Sequence, residues 1–183
     1  MITRRSPARK ETMPIEKFLN SAPEVPPGAW VHPSACLIGR VKLADEVSVW
    51  PGAVIRADVE PITIGRGTNI QDLAVLHPNK DLPVVIGEGV TVGHSAIIHG
   101  SVVGSHCLIG MGSVVMDCEI GEYCIIAAGA VVTPGSKIPP RSMVMGAPGK
   151  VKRPLTDDEC AALVKSEKVY IELAGCYRPG RAG

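Results

Sequence analysis

The stretch Ile86-Gly87-Glu88-Gly89-Val90-Thr91-Val92-Gly93-His94-Ser95-Ala96-Ile97-Ile98-His99-Gly100 decides how the chain is read. Ile86, Val92 and Ile98 stand six residues apart in it. Working outward, the spacing continues. Leu37, Leu43, Val49 and Ile55 precede it, then Ile64, Ile70 and Leu76. Val103, Ile109 and Val115 follow, then Ile120, Ile126, Val132, Ile138 and Val144. An α-helix repeats every 3.6 residues and a flat strand every 2, so neither explains a period of six. A short period sustained over a hundred residues is the mark of a solenoid. Glycine often follows the aliphatic residue, as at Gly65, Gly87, Gly93, Gly104, Gly110 and Gly121. A small residue often stands four after it, as at Ala53, Thr68, Ala74, Ala96, Ser113 and Ala130.

This pattern resembles the hexapeptide repeat. In that resemblance three hexads make a triangular coil, and stacked coils make an all-β solenoid, the left-handed parallel β-helix. Composition agrees. Only 3% of the 183 residues are aromatic, and a thin interior of Ile, Val, Leu and Ala needs few rings. The net charge of +1 gives no nucleic-acid footprint. No apolar run reaches the ~18 residues of a membrane span. The start carries Arg4, Arg5, Arg9 and Lys10 without an apolar stretch, so no secretory signal is expected there. Being basic and free of acidic residues, it leaves an organelle-targeting reading open beside the cytoplasmic one. The six cysteines form no CxxC pair and read as buried free thiols of a reducing cytosol.

Four segments are expected: an N-terminal arm (1–28), a β-helix domain (29–150), a C-terminal helix packed on it (151–176) and a disordered tail (177–183). Thr156-Asp157-Asp158-Glu159 reads as a capping box that opens the helix, and Gly175 as its end. Cys160, Leu163, Val164, Ile171 and Ala174 form its apolar stripe. Two long gaps interrupt the repeat, one around Val59, Glu60 and Pro61 and one within residues 78–84. Extra residues in a solenoid are expected as loops. Two steps, Ile98 to Val103 and Val115 to Ile120, are one residue short and read as tighter corners.

Arithmetic on coils of eighteen residues stacks particular side chains. Ile55, Leu76, Ile98 and Val115 fall on one face, so Arg56, His77, His99 and Met116 form a column beside them. His77 and His99 should then sit on adjacent coils about 4.8 Å apart. Two imidazoles at that separation can bind one metal ion. Val49, Ile70, Val92 and Ile109 stack on the preceding face, and two residues after these come Pro51, Asp72, His94 and Met111. His94 is thus one corner away from His99. A metal site completed by His94 of a neighbouring copy is the economical arrangement. Trp50 and Gln71 also stack. Surface roles remain open for single residues of this set, and His32 and His106 lie outside it.

At these positions the chain resembles the gamma-class carbonic anhydrases. The matching segments are Trp50-Pro51-Gly52-Ala53-Val54-Ile55-Arg56-Ala57-Asp58, Asn69-Ile70-Gln71-Asp72, Leu76-His77-Pro78 and Gly93-His94-Ser95-Ala96-Ile97-Ile98-His99-Gly100. The resemblance implies a homotrimer with a C-terminal helix on each chain. It implies three metal sites between subunits, with His77 and His99 from one chain and His94 from the next. The metal implied is Zn2+, with Fe2+ or Co2+ as substitutes. The activity implied is carbonate dehydratase (lyase) chemistry, interconverting CO2 and bicarbonate by metal-hydroxide attack. Arg56 and Asp58 would form the interface ion pair, Asp72 would join their network, and Gln71 would hydrogen-bond the reacting water. Val59 stands where active members have Glu, and residues 78–83 replace their long acidic loop. Weak activity, an acyl-thioester hydrolase, a hexapeptide acyltransferase and a non-catalytic metal-binding scaffold therefore remain as alternatives.

Overall fold

In the computed structural model, residues 15–178 are described. They form a parallel β-solenoid of about seven turns followed by one α-helix, Asp157–Cys176. The chain winds around three faces. The first holds the leading halves of Cys36–Leu43 and Val54–Ile64, then Val75–His77, Ile97–His99, Val114–Met116 and Val131–Val132. The second holds the trailing halves of the two long strands, then Val84–Ile86, Val102–Val103, Glu119–Ile120 and Lys137–Ile138. The third runs from Trp30–Val31 through Ser48–Val49, Asn69–Ile70, Thr91–Val92 and Leu108–Ile109 to Ile125–Ile126 and Ser142–Met145.

The period of six produces this shape directly. Each aliphatic position points inward once per face, and Leu37, Ile55, Ile70, Leu76, Ile98, Ile109 and Ile126 are fully buried. Each such side chain contributes roughly 2–3 kcal/mol by leaving water. The small residues fill the narrow corners: Ala53, Ala74 and Ala96 have no exposed surface. Glycine after the aliphatic residue lets coils approach closely. A Cβ on Gly87 would lie 2.6 Å from the backbone nitrogen of Ser105 on the next coil.

The insertion at residues 59–61 is not a loop. Val54–Ile64 runs through it as one strand, and the extra residues are absorbed where Gly39 pairs with Ala57 and Val41 with Ile62. The second insertion closes into a tight turn, with Asn79 and Leu82 exchanging backbone hydrogen bonds of 3.0 Å. Both short steps are tight corners, at Gly100 (φ +51°) and Asp117 (φ +44°).

Within the expected arm, residues 1–14 lie outside the described residues. Residues beyond them are ordered: Ile15–Glu16 pairs in parallel with Leu37 and Ile38, and Glu24 bridges to Lys42. The segment expected as helix from residue 151 begins as a strand, Lys150–Pro154, which folds back antiparallel on Ser142–Met145. The capping box then opens the helix: Thr156 Oγ1 accepts from Glu159 N, and Thr156 N donates to Glu159 Oε2 at 2.9 Å. Gly175 does not end it. The helix continues through Cys176, and Tyr177 caps it in right-handed conformation. Cys160 and Leu163 pack on Leu108, Ile125 and Met143. Ala174 and Tyr170 pack on Trp30 and Trp50. The expected tail is ordered at its start, because Tyr177 lies against Trp30 and Trp50 and Arg178 donates to the Gly28 carbonyl. Residues 179–183 of that tail lie outside the described residues. Cys107, Cys118, Cys124 and Cys160 are buried free thiols as expected, whereas Cys36 is half-buried and Cys176 exposed.

Candidate metal centre

His77 and His99 are register partners on adjacent coils. Their rings lie 5.4 Å apart, tilted by 34°. Strand alternation sends Leu76 and Ile98 inward and turns both histidines out on the first face. A carboxylate holds one nitrogen of each ring. Asp58 Oδ1 lies 3.0 Å from His77 Nε2, and Asp117 Oδ1 lies 3.1 Å from His99 Nδ1. His94, one corner earlier, has its Nδ1 2.9 Å from Asp72 Oδ2. Metal-ligating histidines are commonly backed by carboxylates in this way, which fixes the tautomer and raises basicity. The donor set therefore fits a divalent transition ion.

Among the described residues, no three His, Cys, Asp or Glu side chains converge to hold an ion. His77 is mostly covered, with 20% of its side chain exposed, while His94 stands out at 49%.

Arg56 donates to Asp58 within the same chain. Burial pushes the Asp58 carboxyl up, but hydrogen bonds from Arg56 and His77 outweigh it and hold it below the usual carboxylate range. Asp72 meets His94. Gln71 is buried at 4% exposure, and its Nε2 donates to Asn69 Oδ1 at 3.1 Å. Asn69 in turn donates to Thr91 Oγ1 at 2.9 Å, extending a polar ladder up the third face. Trp50 belongs to the packing under the helix. Glu60 turns to Arg40, at 3.9 Å, rather than to the histidines. His32 bonds Ser34, and His106 lies under the helix 3.3 Å from Glu167.

Sequence arithmetic missed Asp117. It stands eighteen residues after His99, one coil further up, but the short step placed Met116 opposite His99 and drew attention there. Extending the column by one residue across each short corner would have found it.

Comparison with known proteins agrees with this architecture. No protein-family model matches the chain. It is 45% identical over 141 residues to "Probable carbonic anhydrase" of Methanocaldococcus jannaschii, covering 76% of this chain and 89% of that protein. It is 41% identical to "Gamma carbonic anhydrase 2, mitochondrial" of Arabidopsis thaliana, covering 87% of this chain but spanning only 60% of the plant protein's length. Among solved structures, a hexapeptide transferase family protein from Anaplasma phagocytophilum superposes with a TM-score of 0.87 at 36% identity, covering 93% of this chain and all of that one. The solenoid, the stacked histidines and these likenesses agree: the chain belongs to the gamma carbonic anhydrase family of hexapeptide-repeat proteins.

Proposed function

We propose that the protein is a metal-dependent carbonate dehydratase that interconverts CO2 and bicarbonate. Its site would hold Zn2+, or Fe2+ or Co2+, between His77 and His99 of one chain and His94 of a second copy. The observation that carries this is the stacked His77–His99 pair, each ring backed by a carboxylate, with His94 turned out one corner away. The first face also supports a second copy docking there in a homotrimer. Outward Val75 and Ile97, beside the histidines, remain 37% and 40% exposed, and nearby Leu73 and Met111 remain 63% and 58% exposed.

His77, His99 and a second copy's His94, as neutral imidazoles, would hold an ion that supplies hydroxide near neutral pH by lowering the pKa of water to about 7. The chain's own residues prepare the site for this. Asp58, Asp72 and Asp117 orient the rings, and Arg56 keeps Asp58 ionised. Gln71, held by Asn69, is the amide assigned to orient the reacting water. CO2 would gain hydroxide to become bicarbonate, and the proton released from water would go to buffer. Free thiols at all six cysteines fit a reducing compartment, and we place the protein in the cytoplasm. Among the described residues no helix is long and apolar enough to cross a membrane.

The second reading is acyl transfer, favoured by the likeness to the hexapeptide transferase family protein from Anaplasma phagocytophilum. Stopped-flow CO2 hydration on a metal-quantified sample separates the two. One ion per chain with CO2 turnover supports the dehydratase. Full occupancy without turnover, together with saturable acetyl-CoA binding, replaces it with the transferase.

A further inference from the structure

The turn that follows His77 reaches the other stacked histidine. Asn79 Nδ2 donates to Asp117 Oδ2 at 3.1 Å, and Asp117 Oδ1 meets His99 Nδ1 at 3.1 Å. Asn79 is itself pinned by the paired backbone hydrogen bonds with Leu82. The two carboxylate oxygens thus serve different partners, one in the short turn and one on the ring.

The backbone is built to hold this chain of contacts. Asp117 N donates to the His99 carbonyl at 2.8 Å, and Ser101 Oγ donates to the same carbonyl at 2.7 Å. Cys118 N donates to Ser101 Oγ at 3.2 Å, tying the two short corners together. Asp117 adopts φ +44°, a left-handed conformation that disfavours most side chains and is tolerated best by Asn and Asp. Gly100 leaves the room required: a Cβ there would fall 2.3 Å from Asp117 Oδ1 and 3.0 Å from Asn79 Cβ. Leu82 crowds the same point at 3.3 Å.

We propose that Asp117 is the positioning residue of His99, braced by Asn79, so that the short turn after His77 sets the tautomer and aim of the second ligand. The proposal rests on the metal-centre reading above. By accepting from Nδ1–H, Asp117 keeps the proton on that nitrogen and leaves Nε2 as the lone-pair donor for an ion. His77 and His99 are thereby coupled through the turn as well as through the β-ladder. Gly100, with no side chain, allows the carboxylate to sit over the corner.

The test reads the ring itself. In metal-free protein, 15N NMR of the imidazoles should show His99 as the Nδ1–H tautomer. D117A should mix the tautomers and weaken Zn2+ or Co2+ binding roughly 10–100-fold. N79A should shift both in the same direction but less, and G100A should resemble D117A. The double exchange D117N/N79D keeps an acceptor toward His99 and restores the tautomer, which a merely structural role would not do. Thermal unfolding of each metal-free variant checks that the solenoid is intact. An unchanged His99 tautomer and unchanged metal affinity in folded D117A and N79A would overturn the proposal. If the wild type takes up no metal, the metal reading fails by itself, and the tautomer measurement still decides the role of Asp117.

Discussion

His77 and His99 are twenty-two residues apart in sequence and directly paired in the β-ladder, their rings 5.4 Å apart. The insertion between them supplies the four residues beyond a coil of eighteen. It turns back on itself at residues 79–82 and leaves the register of the two histidines intact. Removing either ring should abolish tight ion binding, because the other ring and His94 of a second copy leave two imidazoles where the site calls for three. H77A and H99A should each retain the solenoid by circular dichroism and contain less than about a tenth of the wild-type metal. Elemental analysis of purified protein checks this.

The interior is thin, so each aliphatic layer matters. Ile109 is fully buried between Val92 and Ile126 on neighbouring coils. I109A should cost about 2–5 kcal/mol, from lost burial and an unfilled cavity. Denaturant unfolding measures it, and a loss under ~1 kcal/mol would show that the coils relax around the gap.

The helix start should respond to acid. Glu159 is held down from an ordinary 4.5 to about 2, first by Arg153 and then by the Thr156 backbone N–H. A carboxyl depressed on folding contributes stability that is full above its unfolded pKa and lost as pH falls through its folded one. The helix should therefore loosen between about pH 4.5 and 2, with E159Q flattening that part of the stability curve. T156A should cost about 1 kcal/mol at neutral pH, where the cap is intact. Hydrogen exchange at the first helical turn reads both effects.

Thiol labelling should be stepwise. Cys176 is exposed, and Cys36 is half-buried with its thiol pushed up by burial and by Glu16. A water-soluble disulfide reagent should modify Cys176 quickly and Cys36 slowly. Cys107 should wait for unfolding, because its contact with the Cys124 thiol and its burial both push its pKa up. Loss of the fast phase in C176S checks the assignment. A fast phase that survives would place an opening in the coils.

The period of six made the fold legible, because each inward residue is repeated in every layer, and the stacked histidines followed from counting. What escaped were places where local chemistry bends the count. Val54–Ile64 absorbs three extra residues without leaving the sheet, since residues 58–61 bulge opposite Arg40 while the pairing resumes at Val41 and Ile62. Asp117 was hidden by a corner one residue short. The antiparallel strand Lys150–Pro154 carries no hexad, and it forms by pairing with the last coil rather than from its own pattern. Gly175 read as a stop, but the cluster of Tyr177 on Trp30 and Trp50 carries the helix past it. The proposed site draws further on a second copy, whose approach no single chain's periodicity describes.

The most direct test of a site shared between copies is complementation. H94A and H99A would be purified, unfolded and refolded together, and the metal content of the mixture measured against each variant refolded alone. Each variant alone should hold no ion, and the mixture should regain a fraction of the wild-type content, with CO2 turnover rising in proportion. A mixture that stays as empty as its parents, although wild type refolded the same way fills with metal, would contradict a site built from His77 and His99 of one chain and His94 of another.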